Sequence, residues 1–183
     1  TNVADWTDDN AQEVATLFTK VAPTTDTENW NFKKVRNMNL LLSRIQSSSL
    51  GEEAKNHWSG VARLFRAMEY AKLVQKFGDV PYYDAVVGST DNKQLYRARD
   101  PRTTVMDKVN EDLAFACTNI RVNDGTKGLT VNRAVAQGFA SRIMLFEGTW
   151  QKYHANNTAK AAEYLKAAKD YAAALMQTNA YSI

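Results

Sequence analysis

The sequence is poor in the residues on which most nucleophilic and metal sites depend. It has one cysteine, Cys117, and two histidines among 183 residues. A single thiol excludes an intramolecular disulfide bond, and a lone cysteine in an apolar helical pattern is typical of an inert core residue. Glu53 and His57 lie four residues apart, but zinc needs two further ligands and no matching spacing offers them. We therefore interpret the two as a helix-surface pair and predict no metal and no cofactor.

Long apolar runs and blocks of like charge are also missing. No stretch approaches the ~20 consecutive apolar residues that a membrane-spanning helix needs. The formal net charge of +3 comes from 23 basic and 20 acidic side chains, and these are interspersed, whereas nucleic-acid-binding proteins usually carry a concentrated basic patch. Residues 1–10 contain neither a basic nor an apolar segment. We expect any targeting peptide to have been removed before this sequence begins.

The familiar catalytic motifs are absent as well. The sequence has no phosphate-binding loop, no nucleophile elbow, no dinucleotide fingerprint and no paired cysteine motif. Carboxylates are plentiful, but no spacing pairs two of them as an acid and a base. We therefore predict that the protein is not an enzyme.

Helical periodicity is the dominant pattern that is present. No stretch alternates apolar and polar residues over enough positions to predict a strand. We predict an all-α fold in a single helical domain over 1–183, with a long loop over 78–99 after the third helix. The six predicted helices lie at about 13–22, 29–45, 49–77, 100–120, 131–153 and 158–178. Short breaks and small residues opposite bulky ones predict antiparallel, tetratricopeptide-like helix pairs.

The helix at 49–77 has the clearest borders. Ser49 followed by Glu52 has capping-box spacing, and Gly78 then Pro81 predict an abrupt end. Asp100 before a proline predicts a capped start for the next helix.

The same helix is apolar over most of its circumference, so it should be the central helix of the fold. We expect Trp58 to be buried in the core. A narrow polar stripe should face water, and it comprises Arg63, Arg66, Glu69, Lys72 and Lys76.

Aromatic residues near predicted helix ends are the remaining candidates for ligand contacts. Trp6, Trp30 and Trp150 are so placed, and flat rings with polar neighbours suit stacking on a ligand that has one apolar face. The alternative is that these rings pack in the core. Loop aromatics such as Tyr82 and Tyr83 have the same two interpretations, because they could fasten the loop to the helices.

Two consecutive segments carry a resemblance to a known family. Residues 60–70 read GVARLFRAMEY and residues 73–81 read LVQKFGDVP. This string resembles the most recognisable stretch of the SusD/RagB family. The flanking order agrees, with Trp30 ahead of Arg36 and Asn39, and with Gly148 two residues before Trp150. The resemblance covers about residues 30–183.

The resemblance implies a function. Members of the family are lipid-anchored proteins on the external face of the outer membrane in Bacteroidetes. They capture oligosaccharides or other nutrients and pass them to a SusC-like TonB-dependent transporter. They are much longer than this chain, so the resemblance implies a fragment whose lipid anchor and C-terminal half lie outside it.

No motif of the family fixes the ligand-binding residues. We predict an aromatic platform for a glycan at Trp6 and Trp30, with Asn31 beside the second ring. The alternative function is a helical-repeat scaffold that binds a protein.

Overall fold

The computed structural model describes residues 30–123, 125 and 129–178. The predicted helix at 13–22 lies outside these residues. The chain divides into two units, Thr1–Trp30 and Asn31–Ile183, and the helices described here belong to the second. The prediction of a single domain over 1–183 stays a prediction.

All the regular elements of the described residues are helices. Within these residues the only β-type pairing is an isolated bridge between Val80 and Asp100. The all-α prediction is confirmed. The helices are α1 (Lys33–Gln46), α2 (Glu52–Phe77), α3 (Asn92–Leu95), α4 (Arg102–Asn119), α5 (Arg133–Tyr153) and α6 (Thr158–Met176). Five of them match predicted helices, whereas α3 is a single turn inside the predicted loop.

Consecutive long helices are antiparallel neighbours. A Cβ atom added to Gly148 of α5 would lie 2.7 Å from the Leu165 side chain of α6, and one added to Gly138 would lie 3.9 Å from Leu175. The partner number rises as the α5 number falls, which is the antiparallel arrangement. α2 packs against α1, α4 and α5, so it is the central helix, as predicted.

The N-terminal end of α2 differs from the prediction, whereas its C-terminal end agrees with it. The helix begins at Glu52 with Gly51 as its N-cap, and no side chain caps it. The predicted Ser49–Glu52 capping box is therefore wrong. At the other end Gly78 has a φ of +72°, which favours glycine, and the helix ends there as predicted.

Two predicted orientations on α2 are wrong. Trp58 is 43% exposed, whereas Arg66 of the expected polar stripe is 5% exposed. Arg66 is buried because it has a partner that periodicity does not reveal. Helix α4 supplies the carboxylate of Asp112 opposite it. The guanidinium Nε donates to Oδ2 at 2.8 Å and Nη2 donates to Oδ1 at 2.7 Å, so the pair is bidentate and its charges are compensated.

A second buried pair joins α4 to α5. Arg102 Nη2 donates to Glu147 Oε2 at 2.8 Å, and Nε donates to Oε1 at 2.9 Å. The guanidinium lies over the Trp150 ring, 3.6 Å from its centroid. Trp150 is half-buried and packs against this buried pair, which agrees with the packing interpretation of the ring.

The start of α4 is capped by a different carboxylate from the one predicted. Asp79, in the turn after α2, accepts the Arg102 backbone N–H at 2.8 Å. Asp100 instead accepts the Tyr82 backbone N–H at 2.7 Å. The prediction of Asp100 as the cap is wrong because the bridge between residues 80 and 100 brings the two turns side by side.

The histidine prediction is also wrong. His57 is buried, and its Nδ1 accepts the Arg121 backbone N–H at 3.2 Å. Glu53 binds the Arg121 guanidinium at 2.9 Å, so both residues contact the end of α4. Among the described residues, no cluster of three or more His, Cys, Asp or Glu is placed to hold a metal ion.

Cys117 is half-buried, and burial raises the pKa of its thiol to about 12. A thiol with such a pKa is protonated at neutral pH and is a poor nucleophile. Within the described ranges, no helix combines the length and apolar character needed to cross a membrane.

Candidate functional site

The loop between α2 and α4 is fixed at its base by the turn at residues 77–80, which read FGDV. Val80 O accepts the Asp100 N–H at 3.1 Å, which closes the loop as an isolated bridge. Arg97 reinforces the closure, because it binds Asp100 at 2.9 Å and the Tyr82 carbonyl at 2.9 Å. The turn therefore has a structural role.

The middle of the loop is held against α1 and α2 by buried polar side chains. The Tyr70 hydroxyl accepts the Tyr83 N–H at 2.6 Å. Asn39 donates to the carbonyls of Tyr83 and Ala85, both at 2.9 Å. Arg66 donates to Asn39 Oδ1 at 2.8 Å and to the Asp84 carbonyl at 3.1 Å. Arg66 therefore joins α1, α2, α4 and the loop in one hydrogen-bond network.

The loop aromatics fasten the loop, as the packing interpretation predicts. The Tyr82 ring lies 4.6 Å from the Tyr70 ring, and the Tyr83 ring meets Phe32 edge-on at 5.6 Å. Burial raises the pKa of Tyr70 and Tyr82 above the ordinary tyrosine value. Both hydroxyls are therefore neutral at physiological pH and can donate hydrogen bonds. Tyr96 differs, since it is 85% exposed.

This arrangement leaves a polar cleft of about 820 Å³ over α2, between α1 and α4, with the loop at one end. The size falls in the ~300–1,000 Å³ range of small-molecule sites. We call it the α1–α2–α4 cleft. It is lined by Asn39, Leu42, Ser43, Gln46, Glu52, Asn56, Ser59, Arg63, Arg66, Tyr82, Asp84, Ala85, Val86, Lys108, Glu111, Asp112 and Phe115.

Two side chains of α2 in this cleft have unsatisfied hydrogen-bonding atoms. The Ser59 hydroxyl and the Arg63 Nε are buried and have no hydrogen-bond partner among the described residues. The rest of the Arg63 side chain is 36% exposed. Its guanidinium lies over the Phe115 ring at 4.1 Å and is 3.8 Å from Asp112 Oδ1.

The cleft contains charges of both signs. Burial disfavours the charged Arg66 guanidinium, but the hydrogen bonds and the charge of Asp112 outweigh it, so the pKa of Arg66 lies above its ordinary value. Lys108 binds Glu111 at 2.9 Å at the exposed rim. The cleft therefore offers both donors and acceptors.

The predicted glycan platform comprises Trp6, Trp30 and Asn31, and it stays a prediction. Trp6 lies outside the described residues. Trp30 is half-buried at a bend ahead of α1. Asn31 is exposed, and its Oδ1 accepts the Lys33 N–H at 2.8 Å, so it supports the start of α1. Trp30 and Asn31 are not among the residues that line the α1–α2–α4 cleft.

The cleft residues were missed in the sequence because their polar character looked like an ordinary solvated face. The α2 wall follows helical spacing, and it consists of Glu52, Asn56, Ser59, Arg63 and Arg66. Arg66 lies within the segment 60–70 that carries the family resemblance, and Asn39 lies in the flanking order that agrees with it. These positions were the available signal, although they did not say that the two side chains meet.

Comparison with known proteins identifies the family of the chain. Residues 2–145 match the model of a SusD-like family described as "Starch-binding associating with outer membrane". The chain belongs to this SusD-like family. No curated protein sequence matches it.

Solved SusD-like structures share the fold. A SusD-like protein from Bacteroides fragilis is 23% identical with a TM-score of 0.65, over 81% of this chain and 26% of that one. A SusD superfamily protein from Parabacteroides distasonis is 21% identical with a TM-score of 0.67, over 81% and 30%. A third structure, solved with a xylogluco-oligosaccharide, is 20% identical with a TM-score of 0.64, over 83% of this chain and 29% of that one. The SusD-like chain thus spans less than a third of each of these structures.

Proposed function

We propose that this SusD-like chain is part of a non-catalytic surface protein that binds glycans or other nutrients. The observation that carries the proposal is the family match over residues 2–145, since the family is described as starch-binding. A structurally similar protein crystallised with a xylogluco-oligosaccharide supports the same ligand class. The described part of the chain supplies a polar cleft of small-molecule size, which suits a hydroxyl-rich ligand.

Delivery of the ligand to a SusC-like TonB-dependent transporter is the second part of the proposal. The family description associates the protein with the outer membrane. We place the protein on the external face of that membrane, held by a lipid anchor. The predicted platform at Trp6, Trp30 and Asn31 remains a candidate contact for the same glycan.

Isothermal titration calorimetry of the chain against malto- and xylogluco-oligosaccharides tests the ligand class. We expect saturable binding to at least one oligosaccharide. A chain that folds, as judged by circular dichroism, but binds none of a broad oligosaccharide panel would contradict the proposal. Recovery of a soluble partner and no outer-membrane transporter in a pull-down would instead favour the protein-binding scaffold.

A further inference from the structure

The first step concerns the three helix faces that meet at the α1–α2–α4 cleft. Helix faces that point toward neighbouring helices are usually apolar. Here α1 contributes Asn39, Ser43 and Gln46, while α2 contributes Asn56 and Ser59. The polar side chains on these faces need hydrogen-bond partners, which apolar packing does not supply.

The second step concerns donors that the protein itself does not satisfy. The Ser59 hydroxyl and the Arg63 Nε both line the cleft, both are buried, and neither has a hydrogen-bond partner among the described residues. The Ser59 residue as a whole is 3% exposed. A buried polar atom without a partner is destabilising, so such atoms in a native fold call for an explanation. A bound ligand that accepts hydrogen bonds would supply one.

The third step is the charge of the cleft, which selects the ligand class. Its cationic side chains are Arg63, Arg66 and Lys108, and its carboxylates are Glu52, Asp84, Glu111 and Asp112. A phosphate or a polyanion would meet these carboxylates, and a polycation would meet the guanidinium groups. A neutral polyol both accepts from guanidinium groups and donates to carboxylates, so it fits both signs.

The fourth step is the apolar part of the lining. The Tyr82 and Phe115 rings are half-buried at the cleft, and aromatic rings contact the C–H faces of sugar rings by their apolar surfaces. The Arg63 guanidinium covers one face of the Phe115 ring, 4.1 Å from its centroid, so the ligand can use only the ring surface that Arg63 leaves uncovered. A ligand with polar edges and apolar faces matches this combination.

We propose that the α1–α2–α4 cleft is a saccharide-binding site in which Arg63 and Ser59 donate hydrogen bonds to sugar oxygens. This inference rests on the proposed glycan-binding function and adds a location for it. The residues that line it do not include Trp30 or Asn31.

Calorimetry with the oligosaccharide that binds best tests the location. Arg63→Met keeps the length of the side chain and removes its donors, and Ser59→Ala removes the hydroxyl. We expect the Kd to rise about tenfold or more for Arg63→Met and several-fold for Ser59→Ala. Arg142→Met, at an exposed position of α5 outside the cleft, is the matched control and should leave the Kd unchanged.

A second measurement locates the bound oligosaccharide on the wild-type chain. Amide hydrogen exchange of the wild-type chain should slow on α2 and α4 beside the cleft when the oligosaccharide is added. Unchanged Kd values in both folded cleft variants would overturn the location and leave the proposed function intact. No binding by the wild-type chain to any oligosaccharide would overturn the proposed function itself, and the cleft assignment with it.

Discussion

At the scale of single residues, two arginines decide how the helices are joined. Arg66 lies on the stripe expected to face water, yet it binds Asp112 and Asn39 in the interior. Arg102 opens α4 and binds Glu147 of α5. Each guanidinium has a carboxylate on the next long helix of the layer. The buried charges therefore fix which helix faces meet, beyond what apolar packing alone specifies.

Removal of Asp112 tests this role. Asp112→Ala leaves the Arg66 guanidinium buried without its carboxylate, which costs about 3–5 kcal/mol. The expected result is a large drop in the free energy of unfolding, measured by urea denaturation. Glu111→Ala is the control, because the neighbouring exposed carboxylate pairs with Lys108 at the surface, and it should change stability by about 0.5 kcal/mol or less. Equal losses in the two variants would contradict a structural role for the buried pair.

At the scale of elements, glycine sets the distance between α5 and α6. The position of Gly148 leaves no room for a side chain, because an added Cβ would lie 2.7 Å from Leu165 Cγ and 2.9 Å from Leu165 N. The small residues of α5 predict that another helix packs closely against it. The structure shows that α6 makes this close contact at Gly148.

Two glycine substitutions on the same helix should differ in their effect on stability. Gly148→Ala forces α6 away and should destabilise the protein by about 1–3 kcal/mol. Gly138→Ala meets Leu175 at an ordinary 3.9 Å and gains helix propensity, so it should be neutral or stabilise by up to about 1 kcal/mol. Thermal unfolding followed by circular dichroism compares them. A Gly148→Ala protein as stable as Gly138→Ala would show that the two helices can separate at little cost.

At the scale of the whole molecule, buried tyrosine hydroxyls link the helical layers. The Tyr164 hydroxyl of α6 donates its single proton to Asp107 of α4 at 2.7 Å, and the Tyr171 hydroxyl donates to Asn110 at 3.0 Å. Burial raises the pKa of Tyr70, Tyr82, Tyr164 and Tyr171, and that of Tyr171 reaches about 12. These contacts are made by the protonated hydroxyls.

The protein should therefore lose stability at alkaline pH. An unfolded tyrosine loses its proton near pH ~10, so above that pH the folded chain binds more protons than the unfolded chain. The free energy of unfolding then falls as the pH rises, whereas the contribution is fully present below about pH 10. Urea denaturation at steps from about pH 8 to pH 11 measures the slope. In Tyr171→Phe the slope should be shallower, and an identical slope in both proteins would contradict a contribution from this hydroxyl.

The sequence by itself determined the helical class, the borders of five helices to within a few residues and the family. Periodicity, glycine and proline depend on local chemistry, and the segments at 60–70 and 73–81 carry the family resemblance directly. Which faces meet was decided only in the tertiary structure. Arg66, Asp112 and Asn39 are far apart in the chain, and a polar side chain looks the same in sequence whether it faces water or a buried partner. The α1–α2–α4 cleft exists because those polar faces converge, so the residues that line it could not be found from periodicity.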